Sequence, residues 1–371
     1  MKKSKNILSF YLFLSSLIIS SIFCAPAAGE VTYTGPPITL RYSTHFPTTH
    51  MLYKNAFVPW MEALKKESKG KLIVQPYTSS SLHGARDGFK ACVGDITDIA
   101  HGYPVWTAGS FALAQALALP IGFPNAMVAS LTAEKVYPKY IKKEYEKMGV
   151  YMGNYQMSSG YHIFTKEPVR KLEDLKGKKI RATAGAHTYI LKGLGGTPIF
   201  IVASEMYTAF QRGVVDGLFF MDGSGVSYRI HEIAKYRTQF GLVQADTPNC
   251  LNRKTFDNLP MDLKRIFYNL QRRLAIMAAI AYESNDEEGK EILRKAGVKT
   301  ITLPPAELQR WMATLEPIVQ NFIAENEAKG LPARQLVEEM RIHSKNYSSW
   351  TPEQFMKSAT EHPIPGIIDG M

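Results

Sequence analysis

The chain alternates short apolar runs with longer segments whose apolar residues recur at helical spacing. Residues 38–43, 71–77 and 98–102 read as strands, and so do 178–183, 198–202 and 214–221. Between the first two, Leu52, Ala56, Phe57, Trp60, Met61 and Leu64 fall on one face of a 3.6-residue period. That spacing predicts an amphipathic helix with Pro59 at a kink or in an early turn. A short helix is expected around residues 87–93, and another over 186–194, closed by Gly195-Gly196. Strands and helices in this alternation build open α/β sheets. The longest helical stripe opens at Pro260, carries Leu263, Ile266, Phe267, Leu270, Leu274 and Met277, and runs on to Leu293. A helix of ~30 residues is about 45 Å long, enough to pass through two lobes. Residues 318–329 read as helical again after Pro317. The tail from Gly330, punctuated by Pro332, Pro352, Pro363 and Pro365, is expected as an appendage wrapped over the surface.

The first residues have a different pattern. Lys2, Lys3 and Lys5 precede an uncharged run over residues 7–23, and Ala25-Pro26-Ala27 supplies the small residues of a signal-peptidase site. Residues 1–27 are therefore expected to be a secretory leader, with an uncleaved anchor as the alternative, since the run is about long enough to span a bilayer. Phe23 is too bulky for the position before a lipidated cysteine, so Cys24 is expected to leave with the leader. The remaining ~340 residues exceed what one core usually serves, which predicts two lobes. Losing three lysines and no acid lowers the net charge from +11 to +8. The basic residues are scattered rather than blocked, so they read as a solvated surface with a mild pull on anions. Cys92 and Cys250 remain. A secreted chain permits a disulfide between them, while the helical face that Cys92 shares with Phe89 and Val93 equally suits a buried thiol.

Catalytic signatures are missing. The sequence contains no P-loop, no G-x-G-x-x-G after a strand, no C-x-x-C and no H-E-x-x-H. Gly223-Ser224-Gly225 lacks the spacing of a nucleophile elbow. His45 and His50 stand on a proline-containing loop, where a hydrogen bond suits them better than metal ligation. No nucleic-acid motif appears. An enzyme is unsupported, and neither a cofactor nor a metal is expected.

Several segments together resemble the solute-binding proteins of TRAP transporters, the DctP-type family. Arg41-Tyr42-Ser43-Thr44-His45-Phe46-Pro47 is similar to the family's first strand and loop. Gly94-Asp95-Ile96-Thr97-Asp98-Ile99-Ala100 and Leu119-Pro120-Ile121-Gly122-Phe123 are similar to two further family segments. The most specific match is Asp174-Leu175-Lys176-Gly177-Lys178-Lys179-Ile180-Arg181, followed at the family's spacing by residues 204–217. The resemblance implies an α/β, two-lobed periplasmic binding protein fold with a cleft between lobes joined by a long helix. The division it suggests is 31–153 plus 242–285 for lobe I and 154–241 plus 286–329 for lobe II, with 330–371 as a C-terminal extension. It also implies a receptor that captures a small organic acid and hands it to a TRAP membrane permease. The same fold would serve a receptor for a sensor kinase or chemoreceptor, and a periplasmic enzyme acting on an organic acid is a further alternative. A monomer is expected.

The resemblance also implies that the guanidinium of Arg181 pairs with the solute carboxylate. Physics agrees, because a planar fork donates two parallel hydrogen bonds, and the carboxyl end of a strand is where α/β sheets bind ligands. The competing role for Arg181 is a structural salt bridge to Glu205 or Asp216. Further contacts are expected from His45, His50, Tyr103 and Trp106 in lobe I, Tyr155, Gln156 and His162 near the hinge, and Phe219, Phe220 and Asp222 in lobe II. Tyr161-His162 stands where sugar-acid receptors carry a second arginine, and Phe220 where some carry an asparagine. Those changes favour a 2-oxo acid, an aromatic acid or a sulfonate over a sugar acid, whose hydroxyls would each need a partner when buried. N-terminal sequencing of the protein from its native host is expected to begin near Ala28. An intact Met1 or a lipidated Cys24 would contradict the leader.

Overall fold

The computed structural model describes residues 30–371 except Ala108, Ala184 and the side chain of Ser204; the leader and its cleavage point lie outside the described residues. The strands are β1 (Ile38–Ser43), β2 (Leu72–Tyr77), β3 (Ile99–His101), β4 (Val150–Asn154), β5 (His162–Thr165), β6 (Lys179–Ala182), β7 (Thr197–Phe200), β8 (Gly217–Phe220), β9 (Tyr236–Gln239), β10 (Asn249–Asn252) and β11 (Lys299–Thr302). They form two sheets, ordered β2-β1-β3-β10-β4 and β11-β9-β5-β8-β6-β7. The fold is thus the expected two-sheet α/β architecture. Most expected strands are one to four residues shorter than the apolar runs that announce them. Val214 and Asp216, for example, are exposed and precede β8 rather than joining it.

Each sheet is parallel except where the chain crosses between lobes. β1 pairs in parallel with β2 and β3, and β6 with β7 and β8. β10 runs antiparallel to β3 and β4, and β5 antiparallel to β8 and β9. The outgoing crossing, β4 to β5, lies beside the returning one, β9 to β10. Thr247 N donates to Gln156 O at 2.7 Å, Ser158 N to Ala245 O at 2.8 Å, and Tyr161 N to Val243 O at 2.9 Å. A bridge also joins Met157 to Asp246. One antiparallel ribbon therefore continues from the first sheet into the second, and its backbone groups stay paired across the hinge.

The helices that matter here are α1 (Val58–Glu67), α2 (Gly88–Val93), α3 (Ala126–Val136), α4 (Ala186–Gly193), α5 (Asp222–Ser227), α6 (Met261–Lys295), α7 (Pro305–Glu327), α8 (Ala333–Tyr347) and α9 (Pro352–Glu361). Pro59 sits in the first turn of α1, behind a π-helical turn over Tyr53–Phe57. There its missing N–H costs nothing. α6 has 35 residues, about 52 Å of helix. Its first half packs in lobe I, where Phe267 meets Trp60 edge-on at 6.3 Å. Its second half reaches α5 in lobe II, where Gly223 N donates to Asp286 Oδ1 at 2.8 Å.

Two expectations change. α7 starts at Pro305 and runs through Pro317. Trp311 and Leu315 before the proline, and Val319 and Ile323 after it, are all buried, so a continuous apolar stripe outweighs one lost backbone bond. The tail, expected as a surface appendage, is helical and adds Leu336, Val337, Met340, Phe355 and Met356 to the core. Its prolines lie at helix starts or beyond helix ends: Pro352 occupies the first turn of α9, and Thr351 caps it by accepting from Gln354 N.

α5 and α6 approach so closely that their glycines are required. A methyl group on Gly289 would lie 2.6 Å from Gly223 N, and one on Gly223 only 2.4 Å from Asn285 O. Gly289→Ala is expected to lower unfolding free energy by about 1–3 kcal/mol through overpacking, despite the better helix propensity of alanine. Urea unfolding checks this. An unchanged or higher midpoint would show that the two helices can separate freely.

Candidate functional site

Four arginines are buried: Arg181, Arg237, Arg272 and Arg273. A buried charge costs several kcal/mol unless it is paired and hydrogen-bonded. Arg237 grips Asp222 with two bonds of 2.5 Å. Arg272 lies 3.2 Å from Glu134, and Arg273 contacts Glu67. Arg181 has no carboxylate partner among the described residues. Its Nε donates to Ile201 O at 2.8 Å, while Nη1 is buried and makes no hydrogen bond. Burial pushes its pKa down, and only Tyr161 and Tyr228 oppose that shift. The salt-bridge alternative is thereby excluded for Asp216, whose Oδ2 accepts instead from Lys179 N at 2.8 Å.

Arg181 lies near the carboxyl end of β6, in register with Leu218 of β8. Side chains alternate along a strand, so Arg181 shares its face with Phe220. The guanidinium stands 5.1 Å from the Phe220 ring centroid. Tyr161 and Tyr228 add rings at 5.9 and 6.1 Å from Phe220. Phe219 points the other way, into packing with Tyr161, His187 and Phe240. His187, in the first turn of α4, lies 3.2 Å from Gln244 O through Nε2 and 2.7 Å from Thr183 Oγ1 through Nδ1. A carbonyl can only accept, so the proton sits on Nε2. Gln244 in turn donates to Phe123 O at 3.0 Å, which links the second lobe through the ribbon to the first.

Across from these, lobe I presents a cluster of aromatic rings. His50 stacks on Phe46 at 4.0 Å, and His45 lies 5.7 Å from both His101 and Tyr103. Tyr103 packs on Trp106 at 4.3 Å. The lobes touch beside this cluster, where a side chain on Gly185 would come 2.3 Å from Val105 Cγ2. Two small cavities, one lined by Leu40 and Phe267 and one by Glu134 and Arg272, lie away from Arg181.

The other expected residues fall into internal networks. Asp222 is held by Arg237, with His162 Nε2 at 3.4 Å, and His162 Nδ1 accepts from Phe240 N. Tyr155 donates to Asp246 at 2.9 Å, and Gln156 to Asn154 at 2.7 Å. All four are buried in or behind the hinge ribbon. His162, Asp222 and Asp286 place ligand atoms within 4.8 Å of one another. Arg237 already supplies a positive charge there, which opposes a cation. Sequence reasoning missed His101, His187 and Tyr228. The first two share a signal that could have found them, a histidine at or just past the carboxyl end of a parallel strand.

The profile of bacterial extracellular solute-binding protein family 7, DctP, matches residues 42–326. A solute-binding protein of Albidiferax ferrireducens is 26% identical over 257 residues, 67% of this chain and 74% of that one. A TRAP periplasmic solute binding protein from Desulfovibrio salexigens, solved as an open complex, superposes with a TM-score of 0.75 at 27% identity, over 85% of this chain and 98% of that one. Another from Bordetella bronchiseptica, solved with (R)- and (S)-mandelate bound, gives 0.76 at 25% identity, over 84% and 99%.

Burial lowers His187 to a pKa of about 4, with Arg181 adding to the shift. The unfolded chain takes up that proton near pH ~6.5. Stability is therefore full above pH ~6.5, falls as pH drops, and has lost this contribution by about pH 4. The loss is of the order of 2–3 kcal/mol for this ring. Denaturant unfolding of wild type and His187→Gln between pH 7 and 4.5 should show a shallower slope for the variant. Equal slopes would mean the ring is hydrated.

Proposed function

The chain belongs to the DctP family of bacterial extracellular solute-binding proteins, and on that premise we propose that it is a periplasmic receptor for a small organic monoacid. It delivers that acid to a TRAP-type permease. The observation that carries this reading is the buried guanidinium of Arg181, with an unbonded Nη1 and no carboxylate among the described residues to meet its charge. An acid entering between the lobes meets that charge. Closure removes water and strengthens the pair, because electrostatic attraction grows as the local dielectric falls. The protein supplies binding, and no step of chemistry is assigned to it.

The surroundings support a monoanion. Among the described residues no carboxylate pairs with Arg181, and the rings nearest it are neutral phenols, so one positive charge is available. Histidines on both sides of the cleft are neutral at pH 7: burial lowers His45 and His50 to about 4, as it does His187. The walls are rings of Tyr161, Phe220 and Tyr228 on one side and Tyr103 and Trp106 on the other. An aromatic or otherwise apolar body suits them, in keeping with the mandelate held by the Bordetella protein. Lobe I is taken as 31–153 plus 242–285 and lobe II as 154–241 plus 286–329. Of the residues expected from the sequence, the solute set keeps Arg181, Tyr103, Trp106, Phe220, His45 and His50, with Tyr161 and Tyr228 added as wall. Tyr155, Gln156, His162 and Asp222 shape the site from behind, and Phe219 belongs to the core.

Calorimetric titration with mandelate and benzoate, beside sialic acid, tests the reading. Mandelate and benzoate are expected to bind, and the hydroxyl-rich sialic acid is not. Arg181→Ala should weaken binding by about 2–5 kcal/mol, roughly 30- to 5,000-fold. Arg181→Lys should recover only part of this, since an ammonium keeps the charge but not the fork. The ligand-free melting temperature of Arg181→Ala should stay within a few degrees of wild type, because no ion pair is broken. Binding within about threefold of wild type would place the anchor elsewhere.

A further inference from the structure

Cys92 lies on α2 and Cys250 on the interior strand β10, both fully buried. Their sulfur atoms are 3.4 Å apart across 158 residues of sequence. The surrounding backbone is fixed on both sides. Asn252 Nδ2 donates to Cys92 O at 2.7 Å, and Cys92 Sγ to Cys250 O at 3.6 Å. Cys250 is held in register with Ala100 and Met152. A disulfide bond is about 2.05 Å long. The sulfurs need to approach by about 1.4 Å, within reach of modest side-chain rotation.

We propose that Cys92 and Cys250 are oxidised to a disulfide that staples α2 to β10. The staple's two ends lie on either side of both hinge crossings. Everything from Val93 to Asn249 lies within the loop it closes, including β5 to β9 of the second lobe. Lobe I thus gains a covalent closure around the 154–241 part of lobe II, while β11 and α7 follow outside the loop through α6. Burial raises the Cys92 thiol well above its usual range, so few thiolates form once the protein has folded. Oxidation belongs to the folding step, when α2 and β10 first meet. One cysteine thiolate attacks a disulfide oxidant and releases one thiol. The second cysteine then attacks the mixed disulfide and releases the other. Two protein thiols are oxidised, one oxidant disulfide is reduced to two thiols, and the buried product is as neutral as the reactants. In the cell this rests on the proposed export, which places the chain in an oxidising compartment; the chemistry does not.

The test separates the two. The full chain is unfolded and reduced, then refolded in oxidised and reduced glutathione, alkylated under denaturing conditions, and mapped by peptide mass spectrometry. The expected result is one cross-linked pair containing Cys92 and Cys250, with neither residue alkylated. Reducing the bond should lower the melting temperature by roughly 5–10 °C, given the length of the closed loop. A Cys92→Ala/Cys250→Ala chain serves as the control that cannot respond to reductant. Alkylation of both cysteines in folded protein, or glutathione left on either, overturns the proposal. A cross-link whose reduction leaves the melting temperature unchanged overturns the stapling role.

Discussion

Two crossing segments must leave one sheet and enter another without stranding backbone polar groups, and their pairing organises the rest of the molecule. The 156–161 and 241–247 segments meet this constraint by bonding to each other. Because they run antiparallel, the strands they feed, β5 and β10, are the antiparallel members of otherwise parallel neighbourhoods. The carboxyl ends of β1 and β3 then face those of β6 and β8. Loops that follow parallel strands are where α/β sheets bind ligands, so the ribbon alone brings two such edges together. α6 lies behind this joint, fixed in lobe I by aromatic packing and in lobe II by the glycine contact with α5.

Buried charge decides what the facing edges can do. Three of the four buried arginines hold the fold together through carboxylates that the chain supplies. The fourth is held by one carbonyl and one aromatic ring. A fold that retains an unpaired guanidinium in such a place bears a cost that an incoming anion removes. The aromatic residues around Arg181 have a consistent consequence. Phe220 packs on the Arg181 guanidinium and Tyr161 packs on Phe220, so the guanidinium is walled by rings.

The same logic separates the site from its support. His162 stands in register with Phe220, and Asp222 follows Phe220 by two residues. Their polar atoms are already engaged by Arg237 and by the backbone of Phe240, so they fix the end of β8 and the ring of Phe220 that it carries. Tyr155 and Gln156 do this for the ribbon.

Sequence alone determined the alternation of strands and helices, the long α6 and the family, because periodicity, turn residues and an ordered pair of motifs are local signals. It pointed to Arg181 through the motif that contains it. Strand lengths were overestimated, since apolar residues such as Val214 continue past the last ladder bond. The helical tail was misjudged because its prolines read as breaks, although Pro352 only marks where α9 begins. Tertiary structure decided what no local pattern carries. It determined which carboxylate each of the other buried arginines meets, and that Arg181 meets none among the described residues. It set Asp222 against Arg237, 15 residues away, and Cys92 against Cys250, 158 residues away. These are pairings between distant segments, and they are fixed by the sheet order and the hinge ribbon that bring those segments together.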